Sequence, residues 1–149
     1  MIREILKPSG KLNIVLRDKH GNIKEELNVD NLVVTTGRNY IAARMTATGA
    51  PTDMSHMAVG STSTTAALSD TALGGELGRV ALTTGEGVPD DNTIVYTATF
   101  PAGTGNGALQ EAAVFNASTN GTMLCRTTFN TVNKGTDDSV TITWTVTIS

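Results

Sequence analysis

The chain has 149 residues, 39% of them hydrophobic, 17% charged and 4% aromatic, with a formal net charge of −3. That length suits one domain with its own core, and low charge beside a solid apolar fraction excludes wholesale disorder. Its 25 threonines, 23 of them after Met45, exclude an all-helical protein, because a β-branched side chain disfavours helix and fits a pleated, half-wet surface.

Leu12, Ile14 and Leu16 alternate with polar neighbours, residues 18–22 form a turn cluster, and an apolar-polar pattern resumes over 23–29. This predicts an N-terminal β-hairpin. Leu32-Val33-Val34 is a short buried run. Thr35 and Thr36 can cap a short helix over 38–46, where Ile41, Ala42 and Met45 share a face. Residues 49–53 break the pattern, 56–60 predict a short strand, and the Ser/Thr-rich 61–66 an extended surface loop. Ser69 and Asp70 read as the start of a single helical turn ended by Gly74-Gly75. Residues 77–84 read as a strand and 85–91 as a turn.

Thr93 to Phe100 places Ile94, Tyr96, Ala98 and Phe100 on one face and Thr93, Val95, Thr97 and Thr99 on the other. Segments 108–116 and 123–132 predict strands joined around Asn120-Gly121, a short-range hairpin signal. After a turn at 133–138, Val140, Ile142, Trp144, Val146 and Ile148 alternate with Thr141, Thr143, Thr145 and Thr147. That is the pattern of an antiparallel strand with one buried and one wet face. About eight short strands, spaced by Gly/Asn/Asp turns, predict an all-β fold with one short helix: an antiparallel jelly-roll-like sandwich preceded by the N-terminal β-hairpin. No repeat or linker divides it. Residues 1–149 read as a single domain, with 1–30 a basic arm and hairpin and 31–149 the β-sandwich body.

Charge is unevenly spread. Residues 1–45 hold eight basic against five acidic residues, net +3, and residues 46–149 hold three against nine, net −6, an asymmetry that can bias docking. No basic run and no Arg-interleaved aromatics support nucleic-acid binding. Cys125 is the only cysteine, so no intrachain disulfide is expected, and its apolar setting reads as a small buried hydrophobe. No apolar stretch approaches the ~18 residues of a membrane span, and no secretion signal is visible, so cytoplasmic synthesis is expected. The sequons at Asn116 and Asn120 are then read as chance.

Little chemistry is visible. His20 and His56 have no Cys or His neighbours in sequence, so no metal site is expected. There is no Gly-x-Ser-x-Gly or HExxH motif, and residues 103–107, Gly-Thr-Gly-Asn-Gly, lack the Lys-Ser/Thr of a phosphate-cradling loop. Asp90-Asp91 and Asp137-Asp138 read as acidic turns. No catalytic residue and no cofactor are expected. Glu111 and Arg126, among the few charges outside turns in the acidic two-thirds, are expected to form a structural ion pair across the Asn120-Gly121 hairpin.

One series of motifs is distinctive: residues 31–42 (Asn-Leu-Val-Val-Thr-Thr-Gly-Arg-Asn-Tyr-Ile-Ala), Met57-Ala58-Val59-Gly60 with its Ser/Thr loop, and Asp70 to Arg79. Glu111 to Asn116, Gly121 to Arg126 and the strand from Val140 to Thr147 complete it. From about residue 10 onward the chain resembles a family of small tailed-bacteriophage virion proteins, often labelled tail-fibre or capsid cement (decoration) proteins. The resemblance implies a non-catalytic jelly-roll protein on the capsid surface of a virion, made in the host bacterial cytoplasm. It implies major capsid protein as partner, with self-association as a homodimer or homotrimer, and neither nucleic acid nor membrane. The basic arm, with Arg3, Lys7 and Lys11, is then the segment expected to reach onto the shell. A tail, baseplate or tail-fibre component is the alternative within the same class. A lectin-like glycan-binding module is the alternative outside it, for which Tyr40, Tyr96 and Trp144 are the aromatics at hand.

Overall fold

A computed structural model describes residues 5–46 and 49–149. The elements are β1 (Pro8–Arg17), β2 (Ile23–Val33), α1 (Thr35–Arg44), β3 (His56–Gly60), β4 (Glu76–Ala81), β5 (Val88–Asp90), β6 (Thr93–Phe100), β7 (Gly107–Phe115), β8 (Met123–Lys134) and β9 (Ser139–Ile148). All strand pairings are antiparallel, in one sheet of order β4-β3-β7-β8-β2-β1-β9-β6-β5. The protein is thus all-β with one short helix, led by the expected hairpin.

The sheet curls on itself, and β2 makes the corner. Residues up to Asn31 pair with β1, whereas Leu32 and Val33 pair with Arg126 and Cys125 of β8. Leu12 and Ile14 of β1, Phe100 of β6, and Ile142 and Trp144 of β9 therefore pack against Met57 and Val59 of β3, Ala112 and Val114 of β7, and Leu124 of β8 in one apolar cluster. The Thr83 N–H donates to the Thr97 carbonyl (2.8 Å), which ties the chain leaving β4 to β6 near the opposite end of the sheet. The alternation in β9 is seen directly: Val140, Ile142, Trp144 and Val146 are buried and the intervening threonines are not.

β7 is buried on both faces, which is why its sequence shows a continuous apolar run instead of alternation. Its outer face joins Val34, Ala58, Ala113, Phe115 and Met123 in a second apolar cluster, against which Leu73 packs.

Several local expectations are corrected. Among the described residues there are nine strands, the extra one being β5 inside a stretch expected to be only a turn. The helix begins three residues early, and neither Thr35 nor Thr36 caps it: the N-cap is Val34, without a side-chain hydrogen bond, and the Thr36 hydroxyl donates to the Met123 carbonyl (2.9 Å). Tertiary contact to β8 has replaced local capping. Gly37 makes that contact possible, since a Cβ there would land on the Leu124 carbonyl oxygen. Ser69 to Leu73 forms no helical turn. Asn120 and Gly121 have positive φ (51° and 78°), as a tight hairpin would require, but they lie in a longer loop over 116–122. That loop is closed by Asn116, whose Oδ1 accepts the Thr122 N–H at 2.7 Å.

Candidate functional site

The outer face of β1, β9 and β6 is a broad polar plane. Strand register sets Thr141, Thr143, Thr145 and Thr147 of β9 opposite Thr99, Thr97, Val95 and Thr93 of β6. On the other side the same four face Val15, Asn13, Lys11 and Ser9 of β1. Period-two alternation alone places them there. The Thr99 and Thr141 hydroxyls hydrogen-bond to each other (3.0 Å), and Asn13 donates to Glu26 (2.9 Å) and Asn28 (3.2 Å).

Lys7 and Lys11 border this plane. Lys7 lies just before β1, its backbone paired with Ser149 by two hydrogen bonds (2.6 and 3.0 Å). Lys11 sits between Asp30 and Thr145 in register. Both are exposed, and neither forms an ion pair among the described residues. Arg3 lies outside the described residues.

On the opposite outer face the structure brings Glu111 and Arg126 together. Ala113 pairs with Arg126 and Glu111 with Thr128, so the two side chains are diagonal neighbours on one face of the β7–β8 ladder. Arg126 Nη2 and Nε donate to Glu111 Oε1 at 3.1 and 3.3 Å, with Glu111 0% and Arg126 3% exposed. Sequence reasoning missed the rest of this cluster. Arg126 Nη1 donates to Asp70 Oδ2 (2.9 Å) and Nη2 to the Thr64 carbonyl (2.9 Å). Glu111 also accepts backbone N–H groups from Thr62 (3.0 Å), Gly74 (3.0 Å) and Gly75 (2.8 Å).

This cluster fastens loop 61–75 over β7 and β8. Gly60 leaves the space for it, because a Cβ there would sit 2.5 Å from Glu111 Oε2. A carboxylate so fully occupied holds structure and has no lone pair turned to a ligand. Arg79 works alike on the next loop. It donates to the Ala117 and Asn120 carbonyls (3.0 and 2.8 Å) and to Glu76 (2.6 Å), with its guanidinium 3.8 Å from the centroid of the Phe115 ring. Lys134 is buried beneath the loop before β7, donating to the Pro101 carbonyl (3.0 Å) and Asn106 Oδ1 (2.8 Å), and desolvation lowers its pKa.

A cleft of about 470 Å³ opens between α1 and the β5-β6-β9 end of the sheet. Ile41, Met54, Ile94, Val146 and Ile148 give it apolar walls. Tyr40 and Tyr96 also line it, and Arg44, Asp53 and Glu86 stand at its lip, the first two paired at 2.6 Å. Tyr40 accepts the Met54 N–H (3.2 Å). Desolvation raises the pKa of both tyrosines. No local sequence signal announces this cleft, since its residues are spread from α1 to β9. Two of the three aromatics available to a glycan site thus meet here, while Trp144 is fully buried.

Among the described residues no group of three or more His, Cys, Asp or Glu side chains could hold a metal ion. None of their helices is long and apolar enough to cross a membrane. No family model matches the chain, nor does any curated protein or solved structure.

Proposed function

We propose that the chain is a structural protein of a phage virion that binds the outside of the capsid and cements neighbouring major capsid protein subunits. The observation that carries this reading is the threonine face of β1, β9 and β6, bordered by the exposed Lys7 and Lys11, which form no ion pair among the described residues. Threonine has few rotamers to lose, so covering such a face costs less side-chain entropy than covering Lys, Glu or Gln. The contact is polar and shallow, and a single copy holds weakly. Repetition over a symmetric shell supplies avidity. The basic arm adds charge attraction toward an acidic partner, and a jelly-roll-like wrapping of the sheet belongs to the same reading.

Quantitative mass spectrometry of purified virions of the encoding phage tests it. Hundreds of copies per particle are expected. A few dozen or fewer would move the protein to the tail or baseplate, and absence from virions would end the structural reading. Because β1 starts at Pro8, deleting the residues before Lys7 spares the sheet and should still lower capsid occupancy; unchanged occupancy would remove the arm from the contact.

A further inference from the structure

Two features of this chain lack partners, and each has the chemistry the other needs. The first is the cleft beside α1. Its walls are aliphatic, and it contains Tyr96, only 7% exposed, whose hydroxyl has no hydrogen-bond partner among the described residues. The second is the pair Ile5 and Leu6, each 72% exposed, immediately before β1. We infer that this cleft is the seat for the Ile5–Leu6 segment of a second copy of the chain.

Three observations select that occupant. Shape and polarity agree: the cleft lies in the size range that takes up compact apolar groups, and an extended segment carries backbone carbonyls that the Tyr96 hydroxyl can serve as donor. Charge agrees as well. The lip bears Asp53 and Glu86 against Arg44 alone, with Asp90 and Asp91 following in β5 and its turn. In sequence the Ile-Leu pair is flanked by Arg3 and Lys7, with Glu4 the one acid between them. Finally, among the described residues Ile5 and Leu6 stand in solvent and none fills the cleft. Arm and cleft are different patches. Their union is a heterologous contact that closes as a small ring, or a reciprocal exchange that closes as a dimer.

The inference deepens the self-association part of the proposed function but needs no capsid, so the two can fail separately. Light scattering of the purified chain across a concentration series should give a closed dimer or trimer. Leu6→Asp, at an exposed position that leaves the core intact, should weaken association at least about tenfold. Separately purified Leu6→Cys and Pro89→Cys chains, once mixed and oxidised, should give a covalent Leu6→Cys–Pro89→Cys pair. A wild-type chain that stays monomeric at high micromolar concentration overturns the inference. So does an oligomer that survives Leu6→Asp, or a Leu6→Cys/Pro89→Cys double variant that cross-links only within one chain. None of these results bears on virion copy number.

Discussion

The ion cluster on β7 and β8 gives the sharpest test of how the fold is held. Arg126→Met keeps an aliphatic stem in the site and removes the guanidinium, with its bonds to Glu111, Asp70 and the Thr64 carbonyl. Glu111, 0% exposed, is then a buried charge without its counter-ion. Deleting one member of a buried pair costs roughly 3–5 kcal/mol. Three backbone N–H groups, from Thr62, Gly74 and Gly75, still donate to the carboxylate, which places the expected cost near the lower end, about 3 kcal/mol. For a chain of this size that is a fall in Tm of roughly 6–12 °C.

Glu111→Gln and the double variant complete a thermodynamic cycle by chemical denaturation. The double variant should cost less than the sum of the singles by ~1–3 kcal/mol, because the second substitution relieves the charge stranded by the first. Limited proteolysis supplies the local readout, with faster cleavage within 61–75 in Arg126→Met. A Tm loss below about 2 °C, or energies additive to within ~0.5 kcal/mol, would refute the reasoning.

Gly37→Ala should cost ~1–3 kcal/mol in denaturant titration, since its Cβ would strike the Leu124 carbonyl and push α1 off β8. Cys125 is fully buried and desolvation raises its thiol pKa, so a thiol reagent should label it only at the rate of unfolding; fast labelling in native buffer would contradict its burial. The Lys24 ammonium and the Gly135 N–H hold the Asp138 carboxyl below its ordinary value. Its stabilisation is therefore full above about pH 4 and is lost as pH falls through the lower folded-state value. Asp138→Asn should flatten that acid limb, and an unchanged acid melt would argue against the contact. Thr143→Glu, on the open outer face, should leave stability within ~0.5 kcal/mol and still lower capsid occupancy, read by quantitative mass spectrometry of particles.

What the sequence makes legible follows periodicity. β6 is readable to the residue and β9 to within one residue because one face is wet and the other dry, and β3 because Gly and Ser/Thr runs bracket it. β5 is invisible: its three residues are all exposed, so no alternation marks them, and only pairing with β6 makes them a strand. The helix start is misread because Thr35 and Thr36 offer a local cap, while tertiary contact gives the Thr36 hydroxyl to Met123. Glu111 and Arg126 can be picked out as charges in apolar company. Asp70 cannot: in sequence it reads with Ser69 as the start of a helical turn, and its bond to Arg126 spans 56 residues. The cleft is illegible for the same reason, since its walls come from elements distant in the chain.

The two outer faces of the curled sheet are treated oppositely, and this asymmetry bears on docking. Over β7 and β8, Arg126, Glu111 and Asp70 fasten loop 61–75, and Arg79 fastens the loop over 116–122. Buried charge is expensive, so its use here is best understood as fixing long loops that would otherwise expose the apolar patch around Ala113 and Phe115. Over β1, β9 and β6 none of the described loops is fastened, and threonine does the covering instead. A β-branched hydroxyl side chain shields the strand backbone and bonds to its neighbours as Thr99 does to Thr141, and the face dips into a polar hollow of about 390 Å³ lined by Lys11, Asn13, Asp30, Thr143 and Thr145. One side of the molecule is thus closed by its own loops, and the other presents strand side chains beside Lys7 and Lys11. On the proposed reading, that division puts rigidity on the far side and a polar, low-entropy face toward the capsid.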